Sequence, residues 1–312
     1  MTRGYGMKPA KSSKIIDPDL FGISFSVKQC RNFSLDSRET LDWLLAQGWR
    51  RFRLMSYWDE VEKTSDHYDF TELDRQIDQI SRVGGIVTMC LGVKQPRWPE
   101  YHWPKWALGL NQLERSSALL RFIEQVVARY KDNESIISWQ LENEALLRGF
   151  GQNIAIDRRR LRSEYNLIKQ LDTARPIIMS TSNGWGIPLR RPRPDLIGFS
   201  YYLMMHEKGR YTPSIQKPWL HKFRKQILRL ILGRSVFIHE LQLEPWGPEA
   251  IWKMTTTEQN ISMSTQQITK NIQLAKSIKA SPIDMWGAEW WYWRHKQGDS
   301  ETWKTVRSAL SD

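Results

Sequence analysis

Two glutamates stand where short apolar runs end. Glu144 closes the segment Trp139–Glu144 (WQLENE), and Glu240 closes Phe237–Glu240 (FIHE). Carboxylates at such places need a reason, because charge is costly at the end of an apolar strand. Paired carboxyl groups suit glycosidic cleavage: one protonates the leaving oxygen, while the other attacks the anomeric carbon or activates water. A retaining pair must lie ~5–5.5 Å apart, with one group protonated and the other ionised near neutrality. Glu142 and Glu244 are the nearest competitors. Each lies an even number of residues from its neighbour, so strand alternation does not separate them.

The elements that would position these groups recur along the chain. Short apolar runs occur at Phe21–Phe25, Arg51–Met55, Gly85–Leu91, Ile136–Leu141, Pro176–Ser180, Leu196–Ser200, Ser235–Ile238 and Ile283–Ala288. Amphipathic segments separate them, the pattern of βαβ units and a parallel sheet. Asp36 and Glu39 have capping-box spacing before Leu41, Leu44 and Leu45. Phe70–Val83 and Asn111–Lys131 carry apolar residues at helical spacing. Trp219–Leu232 sets Phe223, Ile227, Leu230 and Ile231 against basic residues. That pattern serves a helix on a membrane surface, or a barrel helix with its apolar face on the sheet, which is the reading preferred here. Thr181–Asp195, rich in Pro and Gly, leaves no room for a fifth helix, so a loop is expected there. Eight strands close a (β/α)8 barrel; no glycine-rich phosphate loop supports an open doubly wound sheet. The expected organisation is a poorly ordered extension over residues 1–20 and a single catalytic barrel over 21–312.

In such a barrel the active groups lie at the C-terminal strand ends. There the residues resemble the clan A glycoside hydrolases, over about Phe21 to Trp303. Asn143-Glu144 matches that group's Asn-Glu pair, which implies Glu144 as acid/base and Asn143 as the partner of the sugar 2-hydroxyl. The resemblance also implies Glu240 as nucleophile and Tyr202 (in GFSYY) as its hydrogen-bond partner, with Arg53 (in RFRLM) as electrostatic support. Trp290 (in WGAEWW) is implied as the strand-eight aromatic, with Trp286 and Trp291 as alternatives. Tyr201 could exchange with Tyr202, and Arg53 could instead form a structural ion pair. Ala145 stands where many relatives have Pro. Trp98 is expected to bind substrate, and Lys94, Arg97 and Glu289 are further candidates.

The implied activity is retaining cleavage of a β-linked O-glycoside in an oligosaccharide or polysaccharide, without metal or organic cofactor. A silent carbohydrate-binding barrel and a transglycosylase are the alternatives. The chain has 16 Trp, 10 Tyr and 10 Phe. Indoles match the apolar faces of sugar rings, and the clusters Trp98/Trp103/Trp106 and Trp286/Trp290/Trp291/Trp293 read as a cleft lining. The net charge is +12, read as a solvated basic face that permits weak membrane-surface contact. No nucleic-acid motif appears, so nucleic acid is not an expected partner. Neither a signal peptide nor a run of ~20 apolar residues is present, so a cytoplasmic location, or non-classical export, is expected. Cys30 and Cys90 read as small buried thiols.

Overall fold

The computed structural model describes residues 14–145, 147, 157–183 and 191–311. Eight parallel strands close a barrel: β1 (Phe21–Phe25), β2 (Arg51–Met55), β3 (Ile86–Leu91), β4 (Ile136–Leu141), β5 (Ile177–Thr181), β6 (Leu196–Tyr201), β7 (Ser235–Gln242) and β8 (Ile283–Trp286). Each expected strand is present to within a few residues. β7 runs four residues past the expected end, so Glu240 lies inside the strand rather than at its tip. The strands are buried almost throughout, one face on the interior and the other under helices.

The helices are α1 (Val27–Asn32), α2 (Ser37–Ala46), α3 (Trp58–Val61), α4 (Thr71–Ser81), α5 (Gln112–Tyr130), α6 (Arg158–Leu171), α7 (Pro218–Leu232), α8 (Thr256–Met263), α9 (Thr265–Ile278), α10 (Ala288–Lys296) and α11 (Glu301–Ser311). Asp36 caps α2 by accepting from the Glu39 amide at 2.8 Å. Asn111 and Glu114 form a complete capping box at the start of α5. Between β5 and β6 the described residues, Ser182, Asn183 and 191–195, contain no helix; the rest of that expected loop, 184–190, lies outside the described residues. Of the expected N-terminal extension, residues 1–13 also lie outside. The chain is fixed from Ile16, whose amide donates to the Gly48 carbonyl at 3.0 Å.

Two expectations about packing are corrected. The tryptophan clusters are largely core. Trp58 packs on Trp103, Trp106 and Phe122 with ring centroids 5.4–5.8 Å apart. Trp49, Trp291 and Trp303 form a second stack at 5.9–6.3 Å. Indoles fill the wide gaps between strands and outer helices, and a single sequence does not distinguish this role from a cleft lining. The second correction concerns α7. Its inward residues are His221, Arg224 and Leu228, while Phe223, Leu230 and Ile231 face outward and Ile227 is half-buried. The inward positions suit polar side chains because His221 stacks on Phe199 and Arg224 donates to the Thr181 hydroxyl at 2.7 Å. A hairpin, Met204–Glu207 with Arg210–Pro213, went unanticipated; Lys208 and Gly209 turn it with φ of 51° and 77°.

Candidate active site

The turn after β4 is built under strain. Glu142 and Glu144 both adopt left-handed backbone, with φ of 50° and 44°, which is costly for residues with a Cβ. Hydrogen bonds hold the turn in place. The Glu142 amide donates to the Leu91 carbonyl at 2.9 Å, and the Glu144 amide donates to the Ser180 hydroxyl at 2.7 Å. The Lys94 ammonium donates to the Glu144 carbonyl at 3.2 Å. Gly92, at φ 100°, leaves room for the Glu142 carboxylate, which a Cβ there would meet at 2.5 Å. Glu142 points away from the carboxylate pair, accepting from the Val93 and Lys94 amides and pairing with Arg160 at 2.9 Å. Its role is to fix the turn.

Glu240 comes from the opposite wall. The β6–β7 register shifts between Phe199 and Ser200, so the residues after the bulge are re-aimed. Arg53 donates to Glu240 Oε1 at 2.6 Å, and the Tyr202 hydroxyl donates to Oε2 at 3.0 Å. Donors at both oxygens fix the orientation of the carboxylate. Arg53 is fully buried and also donates to Gln140 at 2.6 Å and to Asn143 Oδ1 at 3.0 Å. Below it, His239 lies between Gln140 (2.7 Å) and Asp284 (2.6 Å), and Asp284 pairs with Arg51 at 3.1 Å. A polar ladder thus fills the barrel interior and holds the Arg53 guanidinium in one orientation.

Ser200 joins the two carboxylates. Its hydroxyl donates to Glu144 Oε1 at 2.6 Å and lies 3.5 Å from Glu240 Oε2. Burial, then the negative charge of Glu240, pushes the Glu144 carboxyl up to about 7, against opposing pulls from Ser200, Lys94 and Arg53. Near neutrality this group both gives and takes a proton, as an acid/base catalyst requires. A second carboxyl of this kind is Glu100, in the loop after β3. Burial, with the charges of Glu144 and Glu240, pushes it up to about 8. It accepts from Asn143 Nδ2 at 3.0 Å.

Arg97 forms the next layer. It is buried, donates to Glu244 and to Glu289 (2.8 Å), and lies 3.9 Å over the Trp286 ring. Trp246 packs edge-on against Tyr202 with centroids 5.4 Å apart.

Of the residues expected at the site, Glu144, Glu240, Arg53, Asn143 and Tyr202 are brought together. Tyr202, not Tyr201, touches Glu240; Tyr201 is a buried core residue packed against His221. Trp290 does not join them. It is fully buried on α10 and donates to Gln259 at 2.8 Å; β8 ends at Trp286, and Gly287 then turns the chain into the helix. Trp98 is 66% exposed, beside the buried Arg97. The sequence reading missed Ser200, Glu100 and Gln140. Ser200 and Gln140 were findable, since each sits on a buried strand an even number of residues before a chosen one (Tyr202 and Glu144). Glu100 lies in an irregular loop with no periodicity to expose it. Among the described residues no group of His, Cys, Asp and Glu is arranged to hold a metal ion.

Residues 92–233 match the family described as glycosyl hydrolases family 2, TIM barrel domain, a stretch that includes Glu144 and stops short of Glu240. Similar solved structures are glycosidases. A family 10 endo-β-1,4-xylanase from Gloeophyllum trabeum is 14% identical, with TM-score 0.64, over 95% of this chain and 97% of that one. A xylanase 10C variant from Cellvibrio japonicus, in complex with xylopentaose, is 13% identical, with TM-score 0.68, over 96% and 69%. A β-galactosidase from Halorubrum lacusprofundi is 14% identical, with TM-score 0.57, over 86% of this chain. The chain spans 52% of that β-galactosidase's length. At these identities the likeness to the solved structures is one of fold.

Proposed function

We propose that this chain, a TIM-barrel protein of the glycoside hydrolase kind, is a retaining glycosidase acting on a β-linked O-glycoside of an oligosaccharide or polysaccharide. The observation that carries the reading is the Ser200 bridge. One hydroxyl, 2.6 Å from a Glu144 oxygen and 3.5 Å from a Glu240 oxygen, limits those two oxygens to roughly 6 Å apart, short of the ~6.5–9.5 Å that inverting enzymes leave for a water.

In this mechanism Glu144 protonates the glycosidic oxygen while Glu240 attacks the anomeric carbon. The C–O bond to the leaving group breaks as the Glu240–carbon ester forms. Glu144, now ionised, takes a proton from water, which attacks the same carbon and releases Glu240. Arg53 and Tyr202 hold Glu240 oriented for attack. Asn143, fixed by Arg53 and Glu100, presents its amide towards the sugar. Trp286 and Arg97 form a wall of the binding cleft.

Following the anomer first released from an active aryl β-glycoside, by proton NMR, tests this reading. Release of the β anomer supports retention. Release of the α anomer would place a water between the carboxylates and overturn the mechanism.

A further inference from the structure

Helix α7 is turned against the usual arrangement of a barrel helix, and the consequence is a surface. Its outward side carries Trp219 (66% exposed), Phe223 (50%), Leu230 (85%) and Ile231 (63%), with Ile215 (88%) just before the helix. Trp219, Phe223 and Leu230 fall on one stripe at helical spacing, together with Lys222, Gln226 and Arg229, all exposed. Inside, polar His221 and Arg224 take positions that apolar residues hold in an ordinary barrel helix.

The charge around this stripe is one-sided. From Lys208 through His239 the sequence contains no Asp or Glu and eight Lys and Arg. Arg234, just past the helix, also lines a cavity of 330 Å³ with Arg162, Arg191 and Arg193. The nearby carboxylate of Asp195 is paired with Lys169 at 2.6 Å. Arg234, two residues past the end of α7, thus joins the helix to an arginine-lined cavity suited to an anionic headgroup.

We propose that α7 and this cavity dock the protein on an anionic lipid surface. Apolar side chains would enter the headgroup–acyl boundary, and the basic ring would hold lipid phosphates. Aromatic and aliphatic residues ringed by uncompensated cations fit that occupant; a protein partner of matched area would need acidic residues facing a ring of this extent. No helix among the described residues is long and apolar enough to cross a membrane. This inference does not depend on the reaction at the mouth.

Co-sedimentation of the full chain with vesicles tests it. One set is phosphatidylcholine alone; the other is phosphatidylcholine and phosphatidylglycerol in equal parts. Binding to the anionic set at low salt, weakened by added salt, is expected, with little binding to the zwitterionic set. The double variant Trp219→Ser/Phe223→Ser should bind at least about tenfold more weakly with unchanged circular dichroism, since both side chains are exposed. Lys222→Glu/Arg229→Glu should weaken binding and flatten its salt dependence. Equal binding of the two vesicle sets, or undiminished binding by Trp219→Ser/Phe223→Ser, would overturn the proposal. So would a vesicle-free dimer, seen by sedimentation equilibrium, that the same double variant dissolves, because the stripe would then be covered by a second copy.

Discussion

The mouth of the barrel and the outer face of α7 are opposites. At the mouth, Glu100, Glu144, Glu240, Glu244 and Glu289 are buried with Lys94, Arg53 and Arg97, and their side chains hydrogen-bond to one another, to the backbone or to Asn143, Ser200 and Tyr202. On the outer side of α7 Lys222 and Arg229 are exposed and of one sign, interleaved with apolar residues. Burial makes the difference. In a poorly solvated site burial itself raises a carboxyl and a neighbouring negative charge adds to it, as Glu240 does for Glu144; on a wetted helix the same charges act weakly, and collectively on a large partner. The proposed catalysis and the proposed surface attraction are therefore separable by substitution.

The sharpest break falls on the mouth alone. Glu240→Gln should cut kcat by at least about 10³-fold while sparing fold and substrate binding, since the attacking oxygen is lost. A surviving rate close to wild type would remove Glu240 from the reaction. Glu144→Ala should cost roughly 10²–10⁴-fold on poorly activated leaving groups and far less on activated aryl ones, which need no proton. Equal losses on both substrate types would assign Glu144 another task. Tyr202→Phe removes one hydrogen bond to a charged oxygen, worth about 1.5–3 kcal/mol, so kcat/KM should fall roughly 10- to 100-fold. None of these three should alter vesicle binding.

pH sharpens the same contrast. Glu144 acts as an acid only while protonated, and its carboxyl is held up to about 7. The alkaline limb of kcat/KM should therefore fall as pH rises through about 7. The Ser200 hydroxyl stabilises the ionised form of Glu144, so Ser200→Ala should move that limb to higher pH. A limb unmoved in Ser200→Ala would separate it from Glu144. The smallest effect is expected at Trp290→Phe, which removes one of two donors to Gln259 Oε1 and leaves Arg294 at 3.1 Å: stability should fall by about 0.5–1.5 kcal/mol in denaturant titration with kcat nearly intact.

The barrel was legible in the sequence because strands and helices repeat in a fixed order, and buried apolar runs report themselves. Glutamates near the ends of such runs were legible for the same reason, but the choice of Glu144 over Glu142 and of Glu240 over Glu244 came from the family resemblance. The closed eight-stranded barrel bears out the expected fold, residues 92–233 match a glycosyl hydrolase TIM barrel domain, and the similar solved structures share that fold. What the sequence hid depends on orientation. Trp290 and Trp286 are both indoles four residues apart, and the left-handed turn at Gly287, φ 129°, decides which one ends the strand. The apolar residues of α7 have the spacing of a core face, and only the contacts of His221 and Arg224 show which way the helix is turned. Glu100 became visible through its hydrogen bond from Asn143, a contact made across the fold.

The most direct test of the central claim is to trap the glycosyl-enzyme. The wild-type protein is incubated with a panel of 2-deoxy-2-fluoro aryl β-glycosides, digested and mapped by mass spectrometry. The account predicts one sugar ester on the peptide containing Glu240, formed at the carboxylate that Arg53 and Tyr202 hold, and none in Glu240→Gln. A label on Glu244, Glu142 or Glu144 in the wild type would contradict it.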